Sequence, residues 1–227
     1  MQIPFTLLAA DARAFDVVGL GQNSVDQLAV VAEFPKSNTK HRIDQFAHLP
    51  GGQVASAMVC CARLGWRARY VGRFGDDELG RMGLASLSDE GVDISAAQTV
   101  AARTRFAIVL VDGRTGDRTV LWDRDPALAL RPGDVADDVW QSARVLHVDC
   151  EDIAAATAAA KAARAAGALT VIDVEAVLPG VPALLRHIDV IIASEGLPEK
   201  LTGHKDTGSA LAAMAREYGP AVACVTL

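Results

Sequence analysis

Apolar residues follow two rhythms along this chain. Short continuous runs recur at Phe15–Leu20 (FDVVGL), Arg69–Phe74 (RYVGRF), Val145–Asp149 (VLHVD), Leu169–Asp173 (LTVID), Ile188–Ala193 and Ala221–Leu227 (AVACVTL). Runs of this length without alternation predict strands buried on both faces. Between them apolar positions repeat at helical spacing. Val54, Ala57, Met58 and Cys61 share one face of a helix predicted over Gln53–Leu64, with Gly65 as its C-cap. Asp76 is the expected N-cap of a second helix that runs to about Glu90 and stops at Gly91. Asp152 is the expected cap of an Ala-rich helix through Ala166, ended by Gly167. Shorter helices are predicted near Pro182–His187, Pro198–Thr202 and Thr207–Tyr218. Strands alternating with helices predict an α/β fold with a mostly parallel sheet covered on both faces.

Two stretches break this alternation. Between residues 25 and 48, a turn centred on Pro35 joins extended runs at Leu28–Val31 and His41–His48, the second an exposed strand. Phe106–Val111 and Arg118–Trp122 flank the polar loop Asp112–Asp117 and predict a hairpin. Together these stretches predict a small separate sheet over the main domain. Asp123-Arg124-Asp125-Pro126 leaves the hairpin as a solvated turn.

Composition narrows the function classes. The 227 residues are 51% hydrophobic with mean hydropathy +0.22, the profile of a packed globular protein. A net charge of −6 and the lack of any Lys/Arg run beyond two residues argue against a nucleic-acid partner. No apolar stretch reaches the ~18 residues that span a bilayer. Residues 1–14 lack the basic start and apolar block of a signal peptide and read as a frayed terminal extension. Cys60, Cys61, Cys150 and Cys224 lack zinc-ligand spacing, so buried, reduced thiols and a cytoplasmic location are expected.

Candidate chemistry gathers at two kinds of position. Gly51-Gly52 ends an extended segment and opens a helix, where free N–H groups and close backbone approach suit an oxygen-rich ligand. In open α/β sheets ligands bind beyond the carboxyl ends of the strands. Those ends carry Asp149, Asp173, Ser194-Glu195 and Thr226; with Asp26 they form an acidic, hydroxyl-rich rim suited to a polyhydroxylated ligand. Gly19-x-Gly21 is followed by extended chain, not by the helix a dinucleotide fingerprint needs. His147 lies inside a strand and reads as a core histidine. The chain has no G-x-S-x-G and no Walker A lysine motif.

In this order and spacing the motifs resemble one family, the ribokinase-like (phosphofructokinase B-type) sugar and nucleoside kinases. The resemblance rests on Gly19–Asp26 (GLGQNSVD), Gly51–Ala57 (GGQVASA), Leu64-Gly65, Val71–Gly80 (VGRFGDDELG), Glu90–Asp93, the hairpin ending Arg118-Thr119-Val120, and Ser194-Glu195 leading to Glu199–Gly203. It covers 15–227. It implies a three-layer α/β/α domain with a small β-sheet lid formed by segments near 25–48 and 102–124. It implies transfer of the γ-phosphoryl of ATP to a sugar hydroxymethyl, with Mg²⁺, and a homodimer through the lid. By resemblance Asp26, Gly51, Gly52, Gln53, Ser56 and, more loosely aligned, Asp149 contact the sugar. Ser194 and Thr226 lie at the nucleotide, and Glu195 beside the metal. Gly52→Val is then expected to abolish sugar binding with the fold largely intact.

The chain departs from the family pattern in three places. Ser56 replaces the usual Asn. The Asn-x-x-Glu motif reads Ser194-Glu195-Gly196-Leu197, with Glu195 or Glu199 as candidate substitutes, and the aspartate-proline-asparagine reads Asp173-Val174-Glu175. The Gly-Ala-Gly-Asp segment that carries the family's general base is not found in the 227 residues, so no catalytic residue is assigned and the chain alone is expected to be inactive. A nucleoside (adenosine-like) kinase and a non-catalytic sugar-binding relative remain open as alternatives.

Overall fold

In chain order the computed structural model, which describes residues 4–227, holds β1 (Phe15–Leu20), β2 (Ser24–Val31), β3 (Ile43–Gly51), α1 (Gln53–Arg63), β4 (Ala68–Val71), β5 (Arg73–Gly75) and α2 (Glu78–Asp89). β6 (Gln98–Val100), β7 (Phe106–Asp112), β8 (Arg118–Asp123), α3 (Asp137–Gln141), β9 (Ala143–Val148), α4 (Ile153–Ala165) and β10 (Leu169–Val174) follow. α5 (Val181–Leu185), β11 (Val190–Ala193), α6 (Leu197–Thr202), α7 (Thr207–Tyr218) and β12 (Val222–Val225) complete the order.

The continuous apolar runs form one six-stranded sheet, ordered β12-β11-β10-β9-β1-β4, with every pair parallel. Two apolar clusters cover its faces. One packs the alanine face of α4 (Ala155, Ala156, Ala159, Ala160, Ala163) with Leu146, Ile172, Leu184 and Ile191. Five small side chains let that helix lie close to the sheet. The other cluster joins Val54 and Met58 of α1 to Tyr70, Phe74 and Leu87. Close approach is also required at Gly19, where an added Cβ would meet Val54 Cγ1 at 2.6 Å and Met58 Sδ at 2.7 Å.

The two stretches that break the alternation form a second sheet, ordered β3-β2-β7-β8. β2 pairs antiparallel with β3 and parallel with β7, and β7 pairs antiparallel with β8. β2 starts earlier than expected, at Ser24, and β3 runs through Gly51, which is a strand residue opposite Ser24 and not part of a turn.

Several local expectations are corrected. The run Arg69–Phe74 divides at Gly72: β4 belongs to the main sheet, whereas β5 leaves it to pair with β6. Asp77, not Asp76, caps α2. Its carboxylate accepts Gly80 N–H at 2.8 Å and also Thr104 N–H at 2.9 Å, a partner 27 residues away. Asp152 makes no side-chain cap bond; its carboxylate instead accepts from Arg124 Nη2 and Leu130 N–H. Leu64 is the C-cap of α1, and Gly65 follows it. Residues 8–13 are not frayed: Leu8 O accepts from Arg144 Nε at 2.7 Å, Ala10 O accepts from Arg67, and Arg13 donates to Ala166 O at 2.6 Å. All four cysteines are free, but Cys60 is exposed and only Cys150 is fully buried. Residues 1–3 of the expected extension lie outside the described residues.

Candidate functional site

Asp26 lies on β2, an inner strand of the second sheet. Opposite it lie Leu49 on β3 and Ala107 on β7. The side chain is half-buried, and its Oδ1 accepts from Ser24 Oγ at 2.9 Å. Its Oδ2 lies 4.0 Å from the place where a Cβ on Gly51 would stand. One carboxylate oxygen therefore faces bare glycine backbone. This oxygen borders a cavity of about 400 Å³ whose lining includes Gln22, Ser24, Arg105 and Trp122.

Gly52 is the N-cap of α1 and holds φ at 102°. L side chains rarely adopt that value, and a Cβ there would meet Asn23 Cα and Gln22 O at 2.5 Å. No side chain caps the helix, while Ala55 N–H donates to Gln22 O at 3.2 Å. Gln53, the first helical residue, donates its amide to Asp173 Oδ2 at 3.2 Å and Glu175 Oε2 at 3.4 Å. Burial holds the Asp173 carboxyl above its ordinary value, so the amide sits beside a partly desolvated acid. Ser56 is exposed one turn further along and lines a different cavity, about 430 Å³, between α1 and α2.

Asp149 follows β9 and is 1% exposed. Its Oδ2 accepts Gln22 N–H at 2.7 Å and its Oδ1 accepts Glu151 N–H at 2.9 Å. Burial pushes its carboxyl up to about 7. Each oxygen holds one backbone donor, and through them Asp149 braces the loops around the cavity.

An ion-pair network escaped the sequence reading. Arg105 Nη1 contacts Glu151 Oε1 and Oε2 at 2.8 and 2.7 Å. Arg124 reaches Glu151 at 3.1 Å and Asp152 at 2.8 Å. In the orientation that satisfies its neighbours, the Gln22 carboxamide oxygen accepts from Arg105 Nη2 at 2.9 Å and Nε at 3.0 Å. The stretch expected as a solvated turn therefore contains a paired Arg124, and Asp125 caps the 3₁₀ turn Pro126–Leu128. A signal was available: Arg124 and Asp152 both lie beside strand ends. Their pairing, 28 residues apart, needed the fold.

At the far side of the sheet, Ser194 and Thr226 follow β11 and β12, whose ends pair through Ala193 and Val225. The fold therefore sets these two residues side by side. Ser194 Oγ donates to Glu175 O at 3.3 Å, and Thr226 Oγ1 to Ala193 O at 3.4 Å. Glu195 is exposed in the following turn. Glu199 accepts from Thr207 Oγ1 and is not free in the same way. Among the described residues no three His, Cys, Asp or Glu side chains are grouped to hold a metal ion. His147 is half-buried in β9 between Gly19 and Val171, and desolvation lowers its pKa to about 4.

A family model described as pfkB family carbohydrate kinase matches residues 15–227. Fructokinase-2 of Solanum habrochaites is 33% identical over 177 residues, covering 70% of this chain and 54% of that protein. Fructokinase-1 of Oryza sativa subsp. japonica is 37% identical over 112 residues, 49% of this chain and 33% of that protein. The chain therefore spans about a third to a half of the length of the curated relatives it matches. The structure of Arabidopsis thaliana ribokinase complexed with ribose and ATP superposes with a TM-score of 0.77 at 22% identity, covering 93% of this chain and 72% of that one. At that identity the likeness is one of fold.

Proposed function

We propose a function from one premise: the chain belongs to the pfkB family of carbohydrate kinases. Membership makes it part of a phosphotransferase that uses a sugar acceptor, and the family implies ATP as donor. We infer that the protein phosphorylates a hydroxymethyl group of a neutral sugar, with a ketohexose such as D-fructose as first candidate. Support for that choice comes from the fructokinases among the relatives.

One observation carries the reading. Asp26 presents an unpartnered carboxylate oxygen across Gly51, where no side chain intervenes. A carboxylate accepts two hydroxyl donors, and bare backbone lets a sugar ring come within hydrogen-bond reach of it. Gly52 keeps the start of α1 uncapped by any side chain, and the Gln53 amide, held by Asp173 and Glu175, completes the polar wall. Ser56 lines the neighbouring cavity, which Ser24 and Gly51 also border. The nearby guanidinium groups of Arg105 and Arg124 are already neutralised by Glu151 and Asp152, which favours an uncharged acceptor.

Ser194 and Thr226 form the proposed nucleotide edge, with Glu195 as a carboxylate for Mg²⁺ carried on the phosphates. Bound Mg²⁺ would supply charge neutralisation there. No described residue is assigned as general base, and the 227-residue chain by itself is expected to turn over no sugar. Exposed Phe46, Ile108 and Leu121, on the face of the second sheet opposite Asp26 and Trp122, support a homodimer through that face. No helix among the described residues is long and apolar enough to cross a membrane, and a cytoplasmic location is part of the proposal.

Isothermal titration with D-fructose, D-ribose and adenosine tests the reading. D-Fructose should give saturable heat, strengthened or unchanged by ATP. Tighter binding of adenosine would favour a nucleoside acceptor, for which the exposed indole of Trp122 is the specific support. Sugar binding without any ATP binding would favour a non-catalytic relative.

A further inference from the structure

The sheet that carries Asp26 also carries an indole on the same rung. Asp26 pairs with Ala107 across β2 and β7, and Ala107 pairs with Trp122 across β7 and β8. Residues paired in this way project from one face of a sheet. The carboxylate and the indole stand two strand spacings apart, roughly 10 Å. Between them lies only the methyl of Ala107, so the floor is flat. Both groups line the same cavity of about 400 Å³. Trp122 is 62% exposed.

Trp122 is nevertheless held in place. The guanidinium carbon of Arg105 lies 4.7 Å from its ring centroid. Arg105 is in turn fixed by its two contacts to Glu151, in the loop after β9. A cation over one face of an indole orients the ring and leaves the other face open. The indole therefore takes its position from the main domain, although its backbone belongs to the second sheet.

We infer that Trp122 is a specificity-determining residue of the acceptor site. Its open face packs against the C–H face of a ring sugar whose hydroxyls Asp26 holds, and Arg105 acts as the positioning residue for the indole. This inference rests on the sugar-site reading of Asp26 and Gly51 given above. A ring sugar has a hydroxyl-bearing edge and a flatter face of polarised C–H groups. The carboxylate takes the first, and the electron-rich π face takes the second. A linear polyol offers similar hydroxyls with no comparable flat C–H face. The site then selects cyclic sugars over acyclic polyols of the same size.

Titration calorimetry of the protein and its variants with D-fructose and with D-sorbitol tests this. The wild type should bind D-fructose at least about tenfold more tightly than D-sorbitol. Trp122→Ala should weaken D-fructose by about tenfold and D-sorbitol by less than about threefold, while Trp122→Phe keeps D-fructose within about threefold. Arg105→Lys, which keeps the charge but not the planar stack, should weaken D-fructose selectively and shift the emission of Trp122 in a Trp66→Phe, Trp140→Phe background. Unchanged D-fructose affinity in Trp122→Ala, or equal weakening for both ligands, would overturn the inference and leave the sugar reading standing. A changed sedimentation rate of ligand-free Trp122→Ala would overturn it too, by assigning the indole to a contact between copies. A wild type that binds neither compound would overturn the sugar reading itself.

Discussion

The carboxylate of Asp149 accepts the backbone N–H of Gln22 at 2.7 Å, joining the end of β9 to the turn after β1. Its other oxygen takes the N–H of Glu151. One buried acid therefore sets both the turn that leads into Asp26 and the loop that anchors Arg105.

That acid should leave a mark on stability against pH. Burial raises Asp149 from 3.8 to about 7, so between these values the folded protein binds its proton more tightly than the unfolded chain does. Its contribution to stability is complete below about pH 4 and is lost as the pH rises through 7. The full span is at most about 4 kcal/mol. Asp149→Asn removes the titration. Urea midpoints measured at pH 5 and pH 8 should show the wild type losing stability relative to the variant as pH rises. Parallel behaviour of the two proteins would contradict this.

Gly51 and Gly52 should separate binding from folding. The expectation that Gly52→Val spares the fold is corrected by the backbone contacts at 2.5 Å and the φ of 102° at that position. Gly52→Ala should already destabilise by about 3 kcal/mol, from strain and displacement of the Gln22 turn. A Cβ at Gly51 meets nothing closer than 4.0 Å. Gly51→Ala should change stability by less than about 1 kcal/mol yet weaken D-fructose binding, because its methyl faces Asp26 Oδ2. Thermal melts alongside sugar titrations read both effects. Equal destabilisation by the two substitutions would refute the distinction.

The sheet was legible because its strands are apolar runs long enough to need two covered faces, as Val145–Val148 and Leu169–Val174 are. The second sheet was legible as the two places where that rhythm fails. What escaped depends on partners distant in the chain. Adjacent acids at 76 and 77 are equivalent as caps until Thr104, 27 residues on, supplies two further donors to Asp77. Asp152 looked like a cap because it precedes a helix, but Arg124 and Leu130 N–H hold its carboxylate instead. The glycines and Asp26 were visible as motifs. Their facing geometry followed only from the β2–β3 register, which sets Asp26 against Leu49 and Ser24 against Gly51.

The Arg124–Asp152 pair should be structural. Asp152 has a side chain only 9% exposed and accepts both from the guanidinium and from Leu130 N–H. Asp152→Ala leaves the Leu130 donor unpaired and Arg124 with only Glu151 and the Leu128 carbonyl. A loss of about 2–4 kcal/mol is expected in chemical denaturation. A loss below about 0.5 kcal/mol would show that water or a shifted Arg124 replaces the carboxylate.

The placement of Asp26 against Gly51 is tested most directly by titrating D-fructose into the wild type and into Asp26→Asn, with urea midpoints measured on both. The substitution keeps the side chain's shape and removes its charge. The expected result is an affinity loss between about tenfold and a hundredfold with unchanged stability, the worth of charge-assisted hydrogen bonds to sugar hydroxyls. Equal dissociation constants for the two proteins would contradict the account.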